Sequence, residues 1–327
     1  HMCTHEAHNV ELWVKLVQKT EKNGNINETR YILDKFLELY PTSTKYWTYY
    51  IELEMSNNNL DKATQLFVPA TKCCYDIDLY MVYIELSKQI HSSKNIEKDV
   101  FIQNVRKAYK FAVNRVGLDI KAYKLYKSFI EFLLANRLST ESQIDIMIIV
   151  RKIYQGIINL PIDDITKLWN DYIAWETKNS AQLAQSFKDK FYHEHGLAVN
   201  YYRERKRYYR GISFNNLLIK CSYISNSKYS IMKQDRDYNQ IMLWEKLIDF
   251  ELKNKQNVPN NVFLPRMEYI FKKALMVIRN YPDIWFMYID FTKKYYNKNI
   301  NNIERISKIY IDACKTLPDC VLLHLNY

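Results

Sequence analysis

Glu54, Glu176 and Glu251 each stand seven residues after a tryptophan, namely Trp47, Trp169 and Trp244, with Tyr50, Tyr172 and Leu247 three after it. Carboxylates perform general acid and base work when two of them converge on one cleft. One glutamate per copy of a recurring pattern points instead to a structural role, tying helix to helix. The six cysteines, Cys3, Cys73, Cys74, Cys221, Cys314 and Cys320, include no C-x2-C pair and no histidine at zinc-finger spacing, so free thiols are expected and no metal site. His193 and His195 flank Glu194, but residues two apart on a helix face different ways, whereas a zincin needs two histidines four apart. His1 and Met2 read as a tag scar, and Cys3, His5 and His8 read as a disordered end, not as a chelate. The five glycines, Gly24, Gly117, Gly156, Gly196 and Gly211, are too scattered to cradle a phosphate, which removes Walker and dinucleotide-binding chemistry. No catalytic, cofactor-binding or metal-ligating residue is assigned, and no cofactor is expected.

A different chemistry is suggested by Arg203, Arg205, Lys206, Arg207 and Arg210, interleaved with Tyr201, Tyr202, Tyr208 and Tyr209. Cations beside aromatic rings suit single-stranded RNA, and the formal net charge of +11 adds a general attraction for phosphates. The preferred reading of the cluster is the solvated face of a long helix, or an import signal. RNA contact is therefore expected to be mainly indirect.

The elements that carry these residues are helices. With 28 tyrosines and 14 phenylalanines but few glycines and prolines, the chain has bulky packing residues and little turn chemistry for a many-stranded sheet. Its most apolar stretch, Ile144 to Val150, is too short to span a bilayer and contains Asp145, so no membrane partner is expected. Offsets of three and seven put three side chains on one face of an α-helix. Weaker copies of the pattern are Trp13 with Leu16, Tyr80 with Tyr83, Tyr126 with Phe129, Trp285 with Tyr288, and His324 with Tyr327. Each such helix is followed by a second, marked by Arg30 and Leu33, Arg106 and Tyr109, Arg151 and Tyr154, or Arg266 and Tyr269, and several pairs close on Pro41, Pro161, Pro282 or Pro318. Pro69 is the misfit, since it falls inside a second helix and is expected to kink it.

The first-position residues are spaced 34, 33, 46, 43, 75, 41 and 39 apart from Trp13 to His324, which is too irregular for a tetratricopeptide array. The W-x2-Y-x3-E first helix and the Arg, aromatic and closing Pro of the second resemble HAT repeats. We therefore expect an all-α fold, a right-handed superhelix of tandem repeats in two arms, with Trp13, Trp47, Tyr50, Glu54, Trp169, Tyr172, Glu176, Trp244, Glu251, Trp285 and Tyr288 as its packing core.

The block from Ile26 to Lys72, with Arg30, Pro41, Trp47, Tyr50, Glu54, Asp61, Lys62 and Phe67, resembles the first two repeats of the suppressor-of-forked family, which supplies the largest subunit of cleavage stimulation factor. Ala108 to Ala112, Leu168 to Tyr172 and Pro282 to Trp285 are similar to its later repeats. The wide interval between Trp169 and Trp244 fits that family's division of the array. The resemblance implies an N-terminal HAT domain over 9–210, a connection over 211–240 and the beginning of a C-terminal HAT domain over 241–327. It further implies a nuclear, non-enzymatic scaffold that joins the RNA-binding and WD-repeat subunits of cleavage stimulation factor to the cleavage and polyadenylation specificity factor. The alternatives are a splicing scaffold of the crooked-neck or U1-associated kind and a direct RNA binder. Since that family's dimer contacts lie in later repeats, a full-length homodimer is expected, with this chain mainly monomeric and frayed after about Cys320.

Overall fold

A helix with an aromatic and apolar stripe on one face is stable only when that stripe is covered. Two such helices joined by a short turn cover one another, and each pair then needs a neighbour. The structure, a computed structural model, describes residues 10–22, 24–93, 97–214, 228–296 and 300–326, and every regular element among them is helical. Repeat 1 consists of α1 (Val10–Lys22) and α2 (Ile26–Leu39), repeat 2 of α3 (Thr44–Ser56) and α4 (Leu60–Cys73), and repeat 3 of α5 (Ile77–Ser93) and α6 (Lys98–Val116). Repeat 4 is α7 (Tyr123–Ala135) with α8 (Gln143–Ile157), and repeat 5 is α9 (Ile165–Asn179) with the long α10 (Ala181–Tyr209). Then follow α11 (Lys228–Leu252) with α12 (Asn260–Ile278), α13 (Pro282–Tyr295) with α14 (Ile300–Thr316), and α15 (Val321–Asn326), which opens an eighth unit.

The turns work with so few glycines because asparagine and aspartate take the left-handed positions. Asn58, Asp164, Asn254 and Asn257 all have positive φ, the conformation these short polar side chains tolerate best after glycine. Helix starts are sealed locally: the Asn25 side chain accepts from the Glu28 amide, and Ser142 and Asp145 form a reciprocal capping box. Pro69 lies within α4, near its C-terminal end, where its missing N–H leaves only one intrahelical bond unmade. Pro265 lies in the second turn of α12, unforeseen in the sequence.

An aromatic pair bridges each of the first six junctions between successive repeats. Phe36 meets Tyr46 at a centroid distance of 4.5 Å, Phe67 stacks on Tyr83 at 4.1 Å, and Tyr109 stacks on Phe129 at 4.9 Å. Tyr154 and Tyr172 follow at 5.1 Å, Tyr208 and Phe250 at 4.4 Å, and Phe271 and Tyr288 at 4.9 Å. In each case the first ring belongs to the second helix of one unit and its partner to the first helix of the next. Such pairs add about 0.5–1.5 kcal/mol beyond the area they bury, so the solenoid is held by a repeated nearest-neighbour contact.

Of the connection expected over 211–240, 215–227 lie outside the described residues, and from Lys228 the chain forms α11, with no glycine or proline before Leu252. After Cys320, where fraying was expected, the chain forms the short helix α15, which buries Leu323. Cys3, His5, His8, Cys221 and Tyr327 lie outside the described residues.

The later repeats fold back on the earlier ones. Helix α12 crosses the connections that follow α4 and α6: Lys273 Nζ reaches the Tyr75 carbonyl at 2.7 Å, Asp76 at 3.2 Å and Asp119 at 3.0 Å, and Tyr269 donates to Asp119. Just before α12, Gln256 donates to the Asn159 carbonyl at 2.7 Å. Burial alone would raise the Asp119 pKa, but the Lys273 charge and the Tyr269 and Lys121 donors outweigh it and hold the carboxyl below its usual range.

Candidate functional site

The glutamates that could have been acids are each engaged by an arginine of the preceding helix. Arg30 on α2 grips Glu54 on α3 through Nε and Nη2 at 2.6 and 2.7 Å, and Arg151 on α8 grips Glu176 on α9 at 2.6 and 2.8 Å. Arg205 on α10 meets Glu251 on α11 at 2.6 Å, although its Nε–H is not aimed along that contact. Three glutamates at one register therefore form three inter-repeat ties, and no two of them share a cleft. Glu54 also accepts from Asn59 at 3.0 Å. Burial would raise its pKa, yet the Arg30 and Asn59 hydrogen bonds and the Lys62 charge bring it below the ordinary value. Repeat 4 has Leu133 at the glutamate position, and Arg106 turns instead to Glu141 at 2.7 Å in the loop beyond α7.

The first-position rings also have a polar task. Trp47 Nε1 donates to the Pro41 carbonyl and Trp285 Nε1 to the Arg279 carbonyl, both at 2.8 Å, and Tyr80 donates to the Cys74 carbonyl at 3.5 Å. His324 contacts the Pro318 carbonyl at 3.0 Å in the same arrangement. Each acceptor lies six residues upstream, where a helix end leaves carbonyls without partners. The longer α6–α7 connection moves the acceptor for Tyr126 back to Gly117, and a Cβ on Gly117 would come within 2.6 Å of that hydroxyl, so glycine is required there. Trp13, Trp169 and Trp244 are buried as well; Trp169 stacks on His195 at 4.6 Å, and the Trp244 indole N–H has no acceptor among the described residues. Burial lowers the His195 pKa, so the ring is neutral at pH 7, and its neighbour His193 faces solvent on the other side of α10.

The cationic cluster on α10 divides. Arg203, Lys206, Arg207 and Arg210 are exposed, but Arg205 is 1% exposed and turned inward on Glu251, the Pro161 carbonyl and the Tyr209 hydroxyl. Its expected place on the solvated face is corrected: at this register an arginine faces the next repeat's glutamate. Three of the four tyrosines are not free stacking platforms either, since Tyr201 and Tyr208 pack on Phe250 and Tyr209 on Phe214, while Tyr202 is half-buried under Lys206.

A second cationic surface, with no signal in the linear sequence, lines a cleft of about 1020 Å³ between the early and late repeats. Lys72 and Arg115 contribute from one wall, Lys272 from α12 and Arg279 from its C-cap, and Arg305, Lys308 and Lys315 from α14. Glu268 and Asp312 are the acidic residues among its lining. Glu268 is engaged by Arg305, Lys272 and the Tyr296 hydroxyl.

The sequence profile of the suppressor of forked protein family matches residues 1–327. The chain belongs to this family. It is 27% identical over 293 residues to cleavage stimulation factor subunit 77 of Arabidopsis thaliana, covering 89% of this chain and 38% of the relative. It is 22% identical over 280 residues to suppressor of forked of Drosophila melanogaster, covering 85% and 35%. With the mRNA 3′-end-processing protein rna14 of Schizosaccharomyces pombe it shares 24% identity over 319 residues, covering 97% and 41%. The chain thus spans well under half the length of these relatives. A crystal structure of CstF-77 superposes with a TM-score of 0.62 at 18% identity, covering 87% of this chain and 54% of that one, and so shares the fold of this suppressor-of-forked array.

Proposed function

We propose that this suppressor-of-forked chain is part of a non-enzymatic scaffold of the nuclear machinery that cleaves and polyadenylates mRNA 3′ ends. In this reading the full-length protein bridges the RNA-binding and WD-repeat subunits of cleavage stimulation factor to the cleavage and polyadenylation specificity factor. The observation that carries it is the fate of the repeat glutamates: Glu54, Glu176 and Glu251 are each held in an inter-repeat ion pair, which suits a structural tie and not a reaction centre. Family membership across the whole chain supplies the setting, and several relatives are named mRNA 3′-end-processing proteins. We further place the break between an N-terminal and a C-terminal HAT domain after α10, and assign dimer formation to the full-length protein, with this chain mainly monomeric.

The test is a pull-down from nuclear extract with this chain as bait, read by mass spectrometry. Recovery of cleavage and polyadenylation factors is expected; recovery of splicing factors alone would move the chain to a crooked-neck-like role. Direct RNA binding is a second reading, favoured by the exposed Arg203, Lys206, Arg207 and Arg210. Reversing those four charges is expected to leave RNA affinity little changed, and a large drop with a shallower salt slope would promote that reading.

A further inference from the structure

The cationic cleft between the arms is built from parts far apart in the chain. Lys72, Lys308 and Lys315 line it, are exposed, and form no ion pair among the described residues. The remaining cations are fixed: Arg115 donates to the Thr71 carbonyl and to the Tyr80 hydroxyl at 3.1 Å, and Arg279 donates to the Thr316 hydroxyl at 2.7 Å. Cations outnumber Glu268 and Asp312 in the lining, and a concave wall of net positive charge focuses its field and raises the local concentration of an anionic ligand. At about 1020 Å³ and open between two walls, the cleft lies at the upper end of the range of small-molecule sites and has room for an extended anion.

Two polyanions fit that description, and the aromatic residues separate them. Single-stranded RNA is held by successive bases stacking on exposed rings. Here the Tyr75 ring already carries the Arg115 guanidinium at 4.5 Å and the Lys272 ammonium at 5.8 Å. Trp285 and Tyr288 are buried in the junction between repeats 6 and 7, which leaves Phe111 as the one exposed ring of the lining. Phe111 and the partly exposed Leu275 supply apolar wall between the lysines, which suits an apolar side chain placed among acidic ones. We propose that this cleft docks an extended, acidic segment of a protein partner, whose carboxylates meet Lys72, Lys308 and Lys315. The assignment rests on the scaffold reading and gives it a contact surface.

The experiment is fluorescence anisotropy of a labelled twelve-residue peptide of alternating Asp, Glu and Leu, titrated with this whole chain. Three proteins are compared: the unchanged chain, K72E/K308E/K315E, and R203E/K206E/R207E, which loses the same charge from the exposed face of α10. All six positions are exposed, and circular dichroism confirms that each variant folds. The cleft variant is expected to bind about 10- to 100-fold more weakly and the α10 variant within about twofold of the unchanged chain, since the field is focused in the cleft alone. The milder K72A/K308A/K315A is expected to fall between. Equal losses in both reversed variants, or no binding by the unchanged chain, would overturn the proposal. So would displacement of the peptide by a twelve-nucleotide oligouridine whose own binding is lost in the cleft variant, because the cleft would then be an RNA site. Failure of the scaffold reading shows separately, as absence of 3′-end factors from a nuclear-extract pull-down with the unchanged chain.

Discussion

Truncating Glu251 to alanine is expected to be the most damaging single change among the repeat glutamates. The Arg205 side chain is 1% exposed and that of Glu251 0%, whereas Arg30 and Arg151 in the equivalent pairs are each 22% exposed. Without Glu251 the guanidinium keeps only the Pro161 carbonyl at 3.1 Å and the weak Tyr209 contact at 3.5 Å. Burial works against that charge and Glu251 is the chief group offsetting it; because a guanidinium stays protonated in proteins, removing Glu251 leaves a buried, uncompensated cation. Tyr201 also loses an acceptor at 3.1 Å. Leaving one partner of a fully buried pair alone costs about 3–5 kcal/mol. Glu54→Ala is expected to cost less, about 1–3 kcal/mol, because Arg30 can turn to water. The double variant R205M/E251L removes both charges and should return to within about 1 kcal/mol of the parent, as apolar replacement of a buried pair is often near neutral. Arrays need not unfold in one step, so hydrogen exchange over α10 and α11 is the assay, with urea unfolding beside it. Glu251→Ala milder than Glu54→Ala, or a double variant as damaged as the single one, would refute the reasoning.

Trp47→Ala should destabilise the early repeats by about 3–5 kcal/mol, and Trp47→Phe, which keeps a ring but loses the bond to the Pro41 carbonyl, by about 1 kcal/mol or somewhat more; urea unfolding checks both. Glu54, Glu141 and Asp119 are held below their ordinary pKa values, so their contribution is complete above about pH 4.5 and is lost as pH falls through their lowered folded values. His195 is also lowered, from 6.5, so the folded state takes up its proton less readily than the unfolded chain, and stability should begin to fall below about pH 6.5; Tm measured from pH 8 to 3 should show both steps, with the upper one absent in His195→Phe. Lys273→Met removes the cation joining α12 to Asp76 and Asp119, and hydrogen exchange should rise in α12 and at the α4–α5 and α6–α7 connections while α1 stays protected.

The periodic part of this fold was legible because each repeat buries the same stripe: Trp47, Tyr50 and Glu54 announce one face of one helix. The ties themselves were half visible. Glu54 and Glu176 lie 24 and 25 residues after Arg30 and Arg151, so the regular pairs could have been predicted as pairs. Arg205 was misplaced because the long α10 and the stretch after it put its glutamate much farther along the chain, and because its arginine-rich, tyrosine-rich surroundings imitate a nucleic-acid surface. The six-residue offset from ring to upstream carbonyl was open to inspection at Trp47, Tyr80, Trp285 and His324. The cleft was not, since Lys72 and Lys315 come together only through the return of α12 and α14 toward the early repeats, and no local pattern reports a superhelical return.

The central claim is that this chain occupies partner surfaces in 3′-end processing without doing chemistry. Adding it in excess to parallel cleavage and splicing reactions in nuclear extract tests that most directly. A chain that spans less than half the length of its relatives should compete with the full-length scaffold of the extract, so cleavage at the poly(A) site should fall with increasing concentration while splicing continues unchanged. Inhibition of splicing, or no effect on either reaction at saturating concentration, would contradict it.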